Sequence, residues 1–173
     1  MAASGGAAGQ SRDVNEMGED DGITATGNVR RHRRRRQVAV KACRPHTRIW
    51  GVETAGADSM AQARAAGQVV RLPQITSIAR TLGAPEVGQL PFALAQRYLE
   101  DVVVISDAEA LDALLFLLER AKVLAEPAAS CTLSAAAQMR ERFLPHHHVV
   151  LILCGGNLAV DTLLQWVSHP PQA

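Results

Sequence analysis

Three observations predict an α/β fold: a partial, helix-covered, mostly parallel sheet. Apolar, β-favouring runs recur at residues 48–53, 101–105 and 149–153. Stretches with helical spacing separate them, and strands separated by helices imply parallel or mixed pairing under a helical cover. The last run ends abruptly in Cys154-Gly155-Gly156-Asn157, and open α/β sheets meet their ligands at such carboxyl strand ends. A length of 173 residues and a 47% hydrophobic content leave room for a real core.

Taken in order, residues 1–28 are rich in Gly, Ala, Ser, Asp and Glu without periodicity, and disorder is expected there. Residues 30–36 read Arg-Arg-His-Arg-Arg-Arg-Arg. Residues 1–37 are therefore taken as a head and 38–173 as the folded part. Residues 38–43 suit the end of a helix, stopped before Pro45. A strand at 48–53 turns through Gly56 into a helix at 58–66, with Gly67 as its stop. Residues 69–72 are extended up to Pro73. Helices are expected at 76–82 and 92–99, and a strand at 101–105.

The firmest helix spans 106–124. Ser106 and Glu109 have the spacing of a capping box, and Leu111, Leu114, Leu115 and Leu118 make an apolar stripe. Pro127 suits the first turn of a helix reaching about residue 142, and the alanines of 128–137 allow close packing. After the strand that opens at Val149, Asn157 is placed to cap a helix over 158–167.

Composition excludes several classes. Net charge is +1, so the basic run is a local asymmetry rather than a property of the whole chain. That run suits an acidic partner, but no aromatic residues interleave with it, so nucleic-acid binding is disfavoured. No apolar run has the length of a membrane span, about 18–20 residues. The first ten residues lack the apolar stretch of a secretory signal. Three scattered cysteines (Cys43, Cys131, Cys154) make neither a disulfide framework nor a four-ligand zinc site, and suit a reducing, cytoplasmic compartment.

Two constellations carry possible chemistry. Glu53, Ala57 and Ser59 lie across one glycine-containing turn at a strand end. A carboxylate, a hydroxyl and freed carbonyls are hard oxygen donors suited to a cation, although a plain strand-end turn with a capping carboxylate has the same pattern. Cys154 suits a nucleophile, a metal ligand, a hydrogen-bonding group or simply a small buried hydrophobe. His146, His147 and His148 are read as a polar loop, since adjacent residues of a strand alternate sides and cannot converge on one ion. Lys41 and Lys122 are the only lysines; Lys41 reads as a solvated helix residue, and Lys122 lies near a helix C-terminus, where its charge suits the dipole. There is no Gly-x-Gly-x-x-Gly, Walker loop, Gly-x-Ser-x-Gly or His-Glu-x-x-His.

Four stretches are similar to one family: Ile49-Trp-Gly-Val-Glu53-Thr-Ala-Gly-Ala57-Asp-Ser59, Leu72-Pro-Gln-Ile-Thr-Ser-Ile-Ala-Arg-Thr-Leu-Gly83, Glu126-Pro-Ala-Ala and Leu153-Cys-Gly-Gly-Asn157. They resemble, in order, the serine/threonine dehydratases of the fold-type II (tryptophan synthase beta-like) pyridoxal-phosphate enzymes, over about residues 38–165. The resemblance implies pyridoxal phosphate as an electron sink at Cα and deamination of L-serine or L-threonine to a 2-oxo acid and ammonia. It implies Cys154 beside the pyridine nitrogen, where a thiol favours elimination over transamination. Gly155, Gly156 and Asn157 would shape the turn around it. It also implies a monovalent cation such as potassium on Glu53, the Ala57 carbonyl and Ser59, completed by the carbonyls of Leu82 and Ala84.

The departures shape the expectation as much as the matches. The family's Schiff-base lysine lies in a Ser-x-Lys-x-Arg-Gly motif that is not found here, and no catalytic residue is assigned. Where the family's phosphate-binding glycine loop would stand, this chain has residues 30–36. The expectation is a carboxyl-terminal half of the enzyme, inactive alone, truncated or mis-framed (glycine codons of the type GGC, read one base out of step, give CGG, arginine). Unmatched strand edges predict a homodimer or aggregation. The alternative is a non-enzymatic remnant whose Arg-rich head binds an acidic partner.

Overall fold

The computed structural model describes the backbone of residues 23–27 and 33–171, and the side chains of residues 37–171. Four strands form one sheet in the order β3-β2-β1-β4: β1 (Ile23–Gly27), β2 (Arg48–Thr54), β3 (Asp101–Ile105) and β4 (Val149–Ile152). Every pairing is parallel, with Ala25 opposite both Trp50 and Leu151. All four carboxyl ends therefore open on one edge of the sheet.

Six α-helices are described: α1 (Arg33–Cys43), α2 (Ser59–Ala66), α3 (Gln89–Tyr98), α4 (Asp107–Phe116), α5 (Pro127–Gln138) and α6 (Val160–Ser168). Period-2 alternation in β2 sends Trp50, Val52 and Thr54 to one face and Ile49, Gly51 and Glu53 to the other. Val52 packs in a cluster with Ile105, Ala110, Ala128, Cys131 and Ala135, so α4 and α5 cover that face. Small residues let α5 approach closely: Ala128, Cys131 and Ala135 are all buried. Ile49 packs with Met60, Ala63, Ala95 and Leu99, so α2 and α3 cover the other face.

Several elements match the sequence reading. Ser106 Oγ accepts from Glu109 N at 3.2 Å while Glu109 Oε2 accepts from Ser106 N at 2.7 Å, closing the capping box. Gly67 ends α2 in the left-handed region, φ 69°. Pro127 stands in the first turn of α5, which is followed by a 3₁₀ turn, Arg140–Arg142. The long helix from α4 passes into a π turn, Leu117–Ala121, and stops at Lys122, whose φ is 58°.

Other elements differ. Strand β1 lies between β2 and β4, inside the head where residues 1–28 were expected to be disordered, and α1, which ends at Cys43 as read, begins at Arg33 within the Arg-rich run. Ile-Thr-Ala-Thr-Gly is too short to stand out from a Gly/Ala/acidic background, and its strand state comes with two parallel neighbours rather than from its own propensity. The rest of the head, residues 1–22 and 28–32, lies outside the described residues. Strand β4, expected to be buried, is an edge strand with Val150 53% exposed. An apolar run does not by itself distinguish an edge from a centre.

Residues 76–82 form turns, not a helix. Ala79 N donates to Ser77 Oγ at 3.0 Å and Ile78 N to Asp107 Oδ2 at 2.9 Å. Side chains thus take amides that a helix would use, the known competition of Ser and Asp with helical bonding. The residue before α6 is Ala159, with no side-chain cap, so Asn157 does not cap that helix. Among the described residues no helix is long and apolar enough to cross a membrane.

Candidate functional site

The carboxyl edge of the sheet carries two clusters. The first surrounds the end of β2. Glu53 is fully buried on the α2 face, and its carboxylate accepts from Met60 N at 3.1 Å and Ala61 N at 2.9 Å. These are orphan amides at the start of α2, where a negative charge is favoured. Asp58, the residue preceding the helix, makes no side-chain cap bond, so Glu53 does that work from the strand.

Ala57 N closes the turn on Thr54 O at 2.8 Å. Gly56 has φ 78° and lies against Thr76, whose Oγ1 a Cβ at that position would strike. Ser59 is 1% exposed, and its hydroxyl has no hydrogen-bond partner. A buried polar atom in that state costs about 1–3 kcal/mol. Ala57 and Leu82 are buried in the same core cluster. The Leu82 carbonyl accepts from Ala84 N at 2.9 Å, which leaves it a second lone pair.

The second cluster is the turn after β4. Cys154 is half-buried and outside any disulfide, and Gly155, Gly156 and Asn157 are exposed. Gly155 O accepts from Glu126 N at 3.0 Å. A Cβ on Gly155 would strike the Glu126 carboxylate, and one on Gly156 would sit 2.9 Å from Leu124 O. Both glycines are thus required by close packing against residues 124–126. Thr81 Oγ1 donates to Glu126 Oε1 at 3.1 Å, linking the segment before Gly83 to this turn. Beside them lies a cavity of about 180 Å³, lined in part by Thr81, Glu126, Asn157, Thr162 and Trp166.

Glu126 and Thr81 were quoted in the sequence only as parts of motifs, with no role assigned. The available signal was the acidic residue directly before a helix-opening proline. His146, His147 and His148 lie in the loop before β4: the rings of His146 and His147 meet edge to face at 4.8 Å, and His147 Nδ1 accepts from Leu144 N at 3.1 Å. Among the described residues no group of three or more His, Cys, Asp or Glu is placed to hold a metal ion. Lys41 Nζ donates to Pro45 O at 3.1 Å and Lys122 Nζ to Glu119 O at 2.7 Å.

The sequence pattern of the family described as "Pyridoxal-phosphate dependent enzyme" matches residues 22–155. That match starts ahead of the expected boundary at 38 and takes in all of β1. The L-threonine ammonia-lyase of Thermotoga maritima is 31% identical over 126 residues, 73% of this chain and 31% of that protein. A serine racemase of Oryza sativa subsp. indica is 33% identical over 135 residues, 76% of this chain and 39% of that protein. The solved structure of maize serine racemase superposes with a TM-score of 0.74 at 30% identity, covering 86% of this chain and 46% of that one. The chain therefore spans about a third of the length of the curated relatives it matches. With this parallel sheet, its helical cover and a match running through most of the described residues, the chain belongs to the pyridoxal-phosphate dependent enzyme family.

Proposed function

We propose that this chain supplies the pyridine-side wall of a pyridoxal-phosphate site in a serine/threonine dehydratase, with Cys154, Gly155, Gly156 and Asn157 as its cofactor-facing residues. The observation that carries the reading is a half-buried thiol at the carboxyl end of a parallel strand, within a chain of this family. The turn after it is held from behind by Glu126, so its outer side is free to meet a ring. The cofactor, when bound, supplies an electron sink at the substrate Cα. The thiol would face the ring nitrogen as a weak hydrogen-bonding group. The whole enzyme would act on L-serine or L-threonine in the cytoplasm.

The same reading makes Glu53, the Ala57 carbonyl, Ser59 and the carbonyls of Leu82 and Ala84 a site for a monovalent cation such as potassium. It is supported by the buried carboxylate and by the unpartnered, buried Ser59 hydroxyl across the same turn. Donors that are all oxygen, with a single carboxylate among them, suit a singly charged hard ion.

Without the lysine motif the isolated chain is expected to be inactive. Both lysines donate to backbone carbonyls near their own helix ends. Incubation with pyridoxal phosphate, followed by removal of free cofactor, should leave no retained absorbance. Retention at Lys41 or Lys122 would overturn the expected inactivity. Reversible binding, followed by tryptophan fluorescence, should weaken in Cys154→Ala; equal affinity would remove Cys154 from the site. Serine racemases are comparably similar relatives, so any turnover should be assayed for both 2-oxo acid and D-serine.

A further inference from the structure

The segment 76–84 carries the Leu82 and Ala84 carbonyls, yet it has no regular secondary structure. The directions of its carbonyls must therefore come from point contacts. One contact chain crosses it. Thr54 Oγ1 and Ser77 Oγ are 2.7 Å apart, and Ser77 Oγ is 2.5 Å from Asp107 Oδ1. Ala79 N donates to the same Ser77 oxygen at 3.0 Å, and Ile78 N donates to Asp107 Oδ2 at 2.9 Å.

The proton bookkeeping gives this chain a direction. Serine has one O–H, and an ionised carboxylate only accepts. Ser77 therefore donates to Asp107, and Thr54 must donate to Ser77. Thr54 and Ser77 are buried, at 0% and 3% exposure, so the bond between them is shielded from competing water, while Asp107 is half-buried. The relay joins the end of β2, the 76–84 segment and the first turn of α4. Thr76 N adds a bond to Gly56 O at 3.1 Å, tying the same segment to the turn that precedes Ser59.

We propose that Asp107 is a positioning residue for the cation site: through Ser77 and the Ile78 amide it holds segment 76–84 across the end of β2 and so aims the Leu82 and Ala84 carbonyls. This rests on the cation reading given above. It assigns a role to a carboxylate that touches neither the cation donors nor the cofactor wall. Asp107→Asn keeps the shape but turns an NH₂ group toward one partner: facing Ile78 N–H it makes a donor–donor conflict, and facing Ser77 it makes that hydroxyl an acceptor and reverses its bond to Thr54. Thr54→Val removes the first donor of the relay with little change in volume.

The test is thermal unfolding of the full chain, titrated with potassium chloride against choline chloride at constant ionic strength. The wild type is expected to gain stability specifically with potassium. In Asp107→Asn and Thr54→Val the midpoint potassium concentration should rise about tenfold or more, the usual effect of removing an outer partner of a metal ligand. Ser106→Ala, which weakens the start of α4 without touching segment 76–84, should lower the melting temperature with an unchanged midpoint. Unchanged midpoints in Asp107→Asn and Thr54→Val, despite lower melting temperatures, would reduce the relay to a structural role and overturn the proposal. Should Asp107→Asn not fold, Ser77→Ala, which removes the Ser77–Asp107 bond, decides by the same midpoint. No potassium-specific gain in the wild type would instead overturn the cation reading, and the positioning role with it.

Discussion

Two of the strand ends on the carboxyl edge of the sheet, those of β2 and β4, are built to different standards. Around the end of β2, Glu53, Thr54, Ala57, Ser59, Ser77 and Leu82 are all buried, and bonds from α2, α4 and segment 76–84 converge on them. At the end of β4, Gly155, Gly156 and Asn157 are exposed, and α6 contains no buried residue. Val160, Leu164 and Val167 of α6 stand 67%, 58% and 49% exposed at helical spacing, the pattern of a face made for packing. The first cluster is enclosed by groups this chain contains; the second is a turn with little in front of it among the described residues.

That contrast can be broken by mutation. The largest effect is expected for Leu82→Ala, which empties a fully buried site in the β2 cluster. It should cost about 2–5 kcal/mol in urea unfolding, and a loss below about 1 kcal/mol would show that the cluster collapses easily. At the other end, Gly155→Ala forces a Cβ against the Glu126 carboxylate. About 1–3 kcal/mol is expected, and Glu126→Ala in the same chain should recover part of it, because the two positions share one contact. Additive losses would mean that the turn is not held by Glu126.

Ser106→Ala removes the capping box of α4 and should cost about 1 kcal/mol. A smaller, pH-dependent effect follows from its partner. The Ser106 backbone N–H beside Glu109 lowers that carboxyl below its ordinary value; burial opposes this, and the Ser106 hydroxyl and Gln138 amide reinforce it. A carboxylate whose folded value is depressed stabilises the fold above its unfolded value, and the contribution fades as pH falls through the folded one. The stability gap between wild type and Glu109→Gln should therefore close on acidification from about pH 7 to about pH 3. A gap that stays constant with pH would assign the effect to packing. The smallest change is expected for Leu164→Ala on the exposed face of α6, within about 0.5 kcal/mol. A loss comparable with that of Leu82→Ala would mean that α6 is covered in solution, by a second copy or another chain.

Much of this was legible beforehand because the signals are local. The Ser106–Glu109 box, Gly67 as a helix stop and Pro127 in a first turn each depend on a few adjacent residues and their dihedral limits. Glu53, Ala57 and Ser59 were found together because they lie on one turn. Leu82 and Ala84 were reached only through family resemblance, since nothing in residues 76–84 announces where their carbonyls point. The helix expected there failed for a physical reason. Asp107, far along the chain, takes the Ile78 amide, and pattern in a window of residues 76–82 contains no trace of it.

The sequence by itself determined the alternation of strands and helices, the caps that bound them, and the family, because those follow from local sterics, hydrophobic periodicity and short motifs. Only the tertiary structure decided that Ile23–Gly27 is an inner strand and Val149–Ile152 an edge. Strand order depends on which apolar surfaces find partners, a property of the whole sheet. It also decided that Thr54, Ser77 and Asp107 act as one relay, since a hydrogen bond needs its atoms within about 3 Å in space and is indifferent to their separation along the chain.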